Sequence, residues 1–181
     1  RGQRAHIMAQ VNSLSDPKLI QALYRASKAG VRVDLNVRGI CCLRPGVPEL
    51  SEHIRVVSIL DRYLEHARII YFYHGGAELV YISSADWMLR NLEKRVELLV
   101  PIEDAASRQR LIAVLKSYTR DNVKGRKLLA DGTYQRRRPG KDGRKHRHQE
   151  HLYRLACEAE KALEQSQRTV FRPHRAAGKE E

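Results

Sequence analysis

Residues 15–30, SDPKLIQALYRASKAG, constrain the fold more than any other stretch, because they mark both ends of a short helix that lies between two strands. Asp16 can cap that helix, and Pro17 suits its first position, where a backbone donor is not needed. Gly30 closes the run. Leu19, Ile20, Leu23 and Ala26 recur at helical spacing and give it one apolar face. Before the helix, AHIMAQVN (5–12) reads as a strand. After it, VRVDLNVR (31–38) alternates Val31, Val33, Leu35 and Val37 with a period of two, which predicts a second strand. Strand, helix and strand with short links form a βαβ unit, so the two strands should lie parallel. The chain is an α/β protein.

The next segments extend the sheet. LRPGVPELSE (43–52) is a loop whose Pro and Gly set turns. Strands are predicted at 54–60, 68–73, 79–84 and 95–101, with a turn or short helix at ADWMLRNLE before the last. HGGAE joins two of them as a hairpin, with His74 an exposed turn residue. EDAASRQRLIAVLKSYTRDNV (103–123) reads as an amphipathic helix with Leu111, Leu115 and Tyr118 on one face. Beyond Val123 the apolar period disappears. Residues 124–149 are dense in Gly, Pro and charge and read as a flexible basic linker. Helical spacing returns over 150–167, and the last dozen residues read as disordered. The expected organisation is one domain over 1–123, followed by a basic linker and C-terminal helix and tail over 124–181.

Charge restricts the partners. The chain carries a formal +13, of which residues 124–149 supply +8, from ten Lys/Arg against two Asp/Glu. Such a surface attracts polyanions, and part of the excess remains when the basic segment is set aside. Cys41, Cys42 and Cys157 form neither a disulfide framework nor a metal-ligand spacing. The vicinal pair reads as small apolar filler, and no metal-ligating residues are predicted. No apolar run approaches the roughly 18 residues of a membrane span, and no leader is seen. The expected setting is cytoplasmic, at most peripheral to the inner membrane face. The sequence opens at Arg1 within structured sequence, as a piece of a longer protein would.

The residues able to do chemistry lie near strand ends. Ligands of parallel α/β sheets bind at the carboxyl ends of the strands. Arg38 ends one strand and precedes Gly39, which allows a close backbone approach. His66 and Arg68, two apart in DRYLEHARIIYF, face one side if that stretch is extended. An antiparallel placement of the 68–73 strand would bring its start to the same edge as Arg38. A guanidinium offers a phosphate two parallel, permanently charged hydrogen bonds. An imidazole can donate to a phosphate oxygen or carry a proton near neutral pH. Ser84 and Asp86 stand near this edge, either to bond phosphate or backbone there or to cap the helix that follows.

VRGICCLRPG, DRYLEHARI and SSADWMLRNL together resemble the C-terminal catalytic region of bacterial polyphosphate kinases, over about residues 1–135. That resemblance implies a phospholipase-D-like mixed sheet flanked by helices. It implies two related domains, each giving a histidine to a shared site, with the phosphorylated histidine upstream of Arg1. His66 matches the second histidine, a catalytic and substrate-binding residue. Arg38 matches the arginine that binds nucleotide phosphate. The implied partners are ATP/ADP, polyphosphate, the upstream domains and, in the full-length protein, further copies of itself, with no specific nucleic acid. Mg²⁺ is implied too, with its ligands upstream. One departure concerns the distant phospholipase D pattern, His-x-Lys-x4-Asp, which here reads His66, Arg68 and Tyr73, so the orienting acid is replaced by a phenol. The function implied is phosphoryl transfer from ATP to polyphosphate. The alternative is a non-catalytic module that binds polyphosphate or nucleic acid by counterion release.

Overall fold

A computed structural model of the protein describes residues 2–141 and 143–167. At its centre is the expected βαβ unit. β1 (Ala5–Val11) and β2 (Arg32–Val37) pair in parallel, from His6 opposite Arg32 to Val11 opposite Val37, and α1 (Pro17–Lys28) connects them. The Asp16 carboxylate accepts the Leu19 amide at 2.8 Å, and Pro17 opens the helix. β3 (Ile54–Ile59) adds in parallel outside β2. On the other side β4 (Ile69–His74), β5 (Ala77–Ser83) and β6 (Leu99–Pro101) add antiparallel. Gly75 and Gly76 both have positive φ, the backbone that a two-residue hairpin between β4 and β5 requires. α2 (Leu89–Lys94) precedes β6, and α3 (Ala105–Arg120) follows it with the Asp104 carboxylate accepting the Ser107 amide at 2.7 Å.

Both faces of the sheet are buried, which explains why β2 is covered from Val33 to Val37 although its sequence alternates: Asp34 and Asn36 are buried along with Val33, Leu35 and Val37. On one face Ile20 and Leu23 of α1 pack with Ala9, Val11, Leu35 and Val56. On the other, Ile112, Leu115 and Tyr118 of α3 pack with Met8, Val57, Ile69 and Tyr71. Neighbours in sequence such as Val56 and Val57 serve opposite faces, as the pleat demands. The mixed α/β sheet flanked by helices is the fold class the sequence predicts.

The expected linker is a correction. Residues 124–149 are not free of structure: β7 (Gly125–Leu128) pairs antiparallel with β3, and β8 (Tyr134–Arg136) pairs with β7. Among the described residues eight strands form one sheet, in the order β6-β5-β4-β1-β2-β3-β7-β8. Only Gly125 and Leu128 of β7 are buried, while Arg126 and Lys127 face solvent, so no apolar period announces the strand. One compact unit runs from Arg1 to Gln149 and a second from Glu150 to Glu181, so the division falls after Gln149 rather than after Val123. A cut after Val123 would strip two strands from the sheet.

Two smaller differences follow the same logic. The strand expected over 95–101 is paired only at Leu99–Pro101, and Val96 is fully exposed. α4 (His148–Gln167) begins two residues earlier than predicted. The predicted disorder of the last dozen residues lies outside the described residues. No helix among the described residues is long and apolar enough to cross a membrane.

Candidate active site

The carboxyl ends of β1 and β2 and the start of β4 share one edge of the sheet, because β4 runs antiparallel to β1 with Ile69 opposite Gln10. Asn12 and Arg38 are the residues just past the paired ends Val11 and Val37, and therefore neighbours. The Arg38 Nε donates to the Asn12 Oδ1 at 2.7 Å and to the backbone oxygen of Glu65 at 2.8 Å. Gly39 is not reserved for a ligand. A Cβ there would stand 2.9 Å from the Asn12 oxygen, so its small size lets the two strand-end loops touch.

From Asn12 the network continues to Asp86. The Asp86 Oδ1 accepts the Asn12 amide at 2.7 Å and the Ser13 amide at 3.3 Å. Arg68 grips the same carboxylate with both prongs, Nε at 3.2 Å and Nη2 at 2.9 Å. The Arg68 Nη1 donates to the His66 backbone oxygen at 3.1 Å and lies 3.2 Å from the His66 Nδ1. His66 itself is exposed. Arg38, Asn12, Asp86, Arg68 and His66 thus form one connected chain of polar contacts along the edge. Burial pushes the Asp86 carboxyl up, but the Arg68 guanidinium and the Asn12 and Ser13 amides outweigh it and hold Asp86 below the ordinary range.

The residues that precede β4 are loop, not strand, so His66 and Arg68 meet through that loop's shape rather than by alternation. The loop is tied from outside. The Arg147 Nε and Nη2 donate to the two Asp61 oxygens at 2.8 and 2.7 Å. Gln149 accepts the Tyr63 amide at 2.7 Å, and its Nε2 donates to the Tyr63 oxygen and to the Glu65 Oε1, each at 2.7 Å. The Tyr118 hydroxyl donates to the Glu65 Oε2 at 2.8 Å. Hydrogen bonds from Arg147, with burial opposing them, hold the Asp61 carboxyl below its usual value.

Of the sequence-predicted residues, Arg38, His66, Arg68 and Asp86 come together at one edge. Asp86 serves backbone and guanidinium rather than a helix cap: α2 has Met88 at its N-cap, with no side-chain bond. Ser84 turns away, its hydroxyl donating to Glu97 and accepting the Leu98 amide at 2.9 Å. Tyr73 is the fifth residue of β4, roughly 13 Å along the strand from Ile69 at about 3.3 Å per residue, too far to orient His66. Cys41 packs against the core, and burial pushes its thiol up to about 11; Cys42 is exposed. Sequence reasoning missed Asn12, Asp61, Glu65, Arg147 and Gln149. Asn12 alone carried a signal, as a polar residue at the carboxyl end of a central strand. Asp61 and Asp86, two acids near this edge, are committed to guanidinium groups, and the described residues contain no cluster of three or more His, Cys, Asp or Glu able to hold a metal ion.

A sheet of this kind is found in phospholipase D proteins. The Nuc protein of Salmonella typhimurium, a phospholipase D family member, superposes with a TM-score of 0.53 at 15% identity, over 71% of this chain and 84% of that one. Residues 1–149 match the family model described as polyphosphate kinase C-terminal domain 2, and the chain belongs to that family. It is 53% identical over 175 residues to a polyphosphate kinase of Rhodopirellula baltica and 59% identical over 138 residues to one of Pseudomonas aeruginosa, covering 97% and 76% of this chain. A polyphosphate kinase structure from Porphyromonas gingivalis matches with a TM-score of 0.85 at 42% identity, over 90% of this chain and 25% of that one. The chain spans 20% of the length of the first two relatives.

Proposed function

We propose that this chain supplies one half of a phosphoryl-transfer site in a polyphosphate kinase, with Arg38 and His66 acting on the phosphates of ATP and polyphosphate. The observation that carries this reading is the polar chain from Arg38 through Asn12, Asp86 and Arg68 to His66. Arg38 spends its Nε on Asn12 and Glu65, which directs the two terminal nitrogens of its fork to a ligand. Arg68 is committed to Asp86 and to His66, so its part is to place the imidazole. Exposed apolar side chains at Ile82, Leu89, Leu92, Val96, Leu98 and Leu99 suit a chain that works packed against further domains.

In this reading an imidazole nitrogen of a histidine outside this chain attacks the terminal phosphorus of ATP in line. The bond from that phosphorus to the bridging oxygen breaks, and ADP leaves with the electron pair. A terminal oxygen of polyphosphate then attacks the phosphohistidine, the phosphorus–nitrogen bond breaks, and the polymer is one phosphate longer. Such transfer depends on placement and charge stabilisation, which Arg38 and His66 provide by donating to phosphate oxygens. Mg²⁺ is assigned to residues beyond this chain.

A substitution of this chain for the matching segment of the Rhodopirellula enzyme tests the proposal by polyphosphate synthesis from ATP. His66→Ala should lower turnover by roughly a hundredfold, the scale of lost proton or hydrogen-bond donation in a transition state. Arg38→Ala should raise the KM for ATP, and Arg38→Lys should restore only part of the loss, since a point charge does not reproduce the fork. Full activity in both alanine variants overturns the reading. The 181-residue chain alone should form no acid-labile phosphoprotein with labelled ATP, and a phosphohistidine on it would overturn the division of labour.

The second reading, a polyanion-binding module, draws on a cavity of about 570 Å³ lined by Lys127, Gln135, Arg136, Arg137 and Arg138. It predicts polyphosphate binding that weakens steeply with salt and is indifferent to Arg38→Ala.

A further inference from the structure

We infer that Gln149 and Arg147 are positioning residues for the site, and that Gln149 aims Arg38 through Glu65. The inference rests on the reading of Arg38 and His66 as the phosphate-handling pair.

The 61–68 loop is held by little besides polar contacts. It has no strand pairing, and its apolar side chains Tyr63 and Leu64 are 51% and 71% exposed, so packing does not fix its shape. Polar tethers do. Arg68 ties one end to Asp86, and Arg147 ties the other at Asp61. Between them Gln149 engages both the N–H and the C=O of Tyr63, the two bonds a neighbouring strand would otherwise make. Its remaining N–H holds the Glu65 carboxylate, which Tyr118 also holds. The Glu65 backbone oxygen is in turn an acceptor for the Arg38 Nε. A shift of Glu65 therefore shifts the direction of the Arg38 fork and the loop carrying His66 together. Displacements near 1 Å at such a site cost up to about a hundredfold in rate.

The segment bearing Gln149 is anchored without the loop. The Asp121 carboxylate accepts the His148 amide at 2.7 Å, and the Asn122 side chain accepts the His146 amide at 2.8 Å. Asp121 also accepts the amides of Val123, Lys124 and Gly125, which fixes the turn from α3 into β7. Residues 146–149 are a post built on the end of α3, and the His66 loop hangs from it. Removal of the Gln149 amide should free the loop and leave the post.

The test uses the 181-residue chain and its chimera with the Rhodopirellula enzyme. Gln149→Met keeps the length and volume of the side chain and removes its three hydrogen bonds. In the 181-residue chain, hydrogen exchange at the Tyr63 amide should accelerate. The Arg38 Nε–H resonance should move and lose protection, although Arg38 does not touch Gln149. In the chimera the same variant should lose about tenfold in kcat/KM for ATP. Gln149→Glu should lose more, since it sets a second carboxylate against Glu65. The pair Gln149→Glu with Glu65→Gln exchanges amide and acid and should recover part of that loss. An unchanged Arg38 resonance with unchanged kcat/KM, whatever happens to the melting temperature, overturns the inference and leaves Gln149 a purely structural residue. Where Gln149→Met does not fold, the exchange pair decides by the same two readouts. If Gln149→Met moves Arg38 while Arg38→Ala leaves activity intact, the tether stands and the proposed function is what fails.

Discussion

The two arginine–aspartate pairs that bracket the 61–68 loop are alike in geometry and different in what they hold. At Asp61 the loop supplies the carboxylate, and both prongs come from Arg147, which is about one-third exposed. At Arg68 the loop supplies the guanidinium, and both groups are only 13% exposed. Asp61 answers to Arg147, with Lys124 at 3.8 Å beside it, and to the Arg62 backbone amide within its own loop. Asp86 answers to a side chain and to two backbone amides at the end of β1. One pair is a tether that can slacken while the sheet stays as it is. The other is joined to the backbone of the site itself, so it cannot change alone.

The largest expected difference between them is the cost of deletion. Asp86→Ala leaves Arg68 without its acid in a poorly solvated place and strands two amides, for a loss of about 3–5 kcal/mol in urea unfolding. Asp86→Asn keeps an acceptor for the amides and should lose less. Arg147→Ala should cost less, about 1–3 kcal/mol, because the Asp61 side chain is only 1% exposed but Lys124 stands 3.8 Å from it and loss of the partly exposed Arg147 side chain opens the place to water. Equal losses at the two sites would break the comparison.

Acid gives a smaller effect, with the same sign at both sites. Both carboxyls are held below the ordinary 3.8, so their contributions are fully present above that pH and are lost as pH falls from there through the lower folded values. Asp86→Asn and Asp61→Asn should each flatten the fall in stability below pH 3.8, and an acid limb unchanged in both would break the account. Salt should produce the smallest difference. Raising ionic strength should weaken the partly exposed Arg147 tether more than the Arg68 pair, seen as faster exchange at the Tyr63 amide than at Asn12.

Local order was legible where the side chains that specify an element lie within it. Asp16, Pro17 and Gly30 bound α1, and the alternation of Val33, Leu35 and Val37 gave β2 and its parallel partner. The edge that gathers Arg38 and His66 followed from topology once β4 was placed antiparallel. What escaped reading is non-local and polar. β7 and β8 owe their place to pairing with β3, while their outward arginines resemble a solvated tail. Gln149 and Arg147 find their partners 86 residues away, at Tyr63 and Asp61, and no spacing in the sequence announces such a bond. The two residues lie in the stretch whose composition argued most strongly against structure.

The sheet ends in two unlike margins. β8 is three residues long, exposed throughout, and followed by arginines at 137 and 138, so like charge keeps another strand from pairing there. β6 presents Leu99 and Val100, 58% and 43% exposed, with charge absent from its three residues and a single proline at its end. A second molecule can therefore add to this sheet from one side only. Edge pairing of that kind closes on itself in twos and does not propagate, so crowding of the isolated chain should yield pairs rather than fibres.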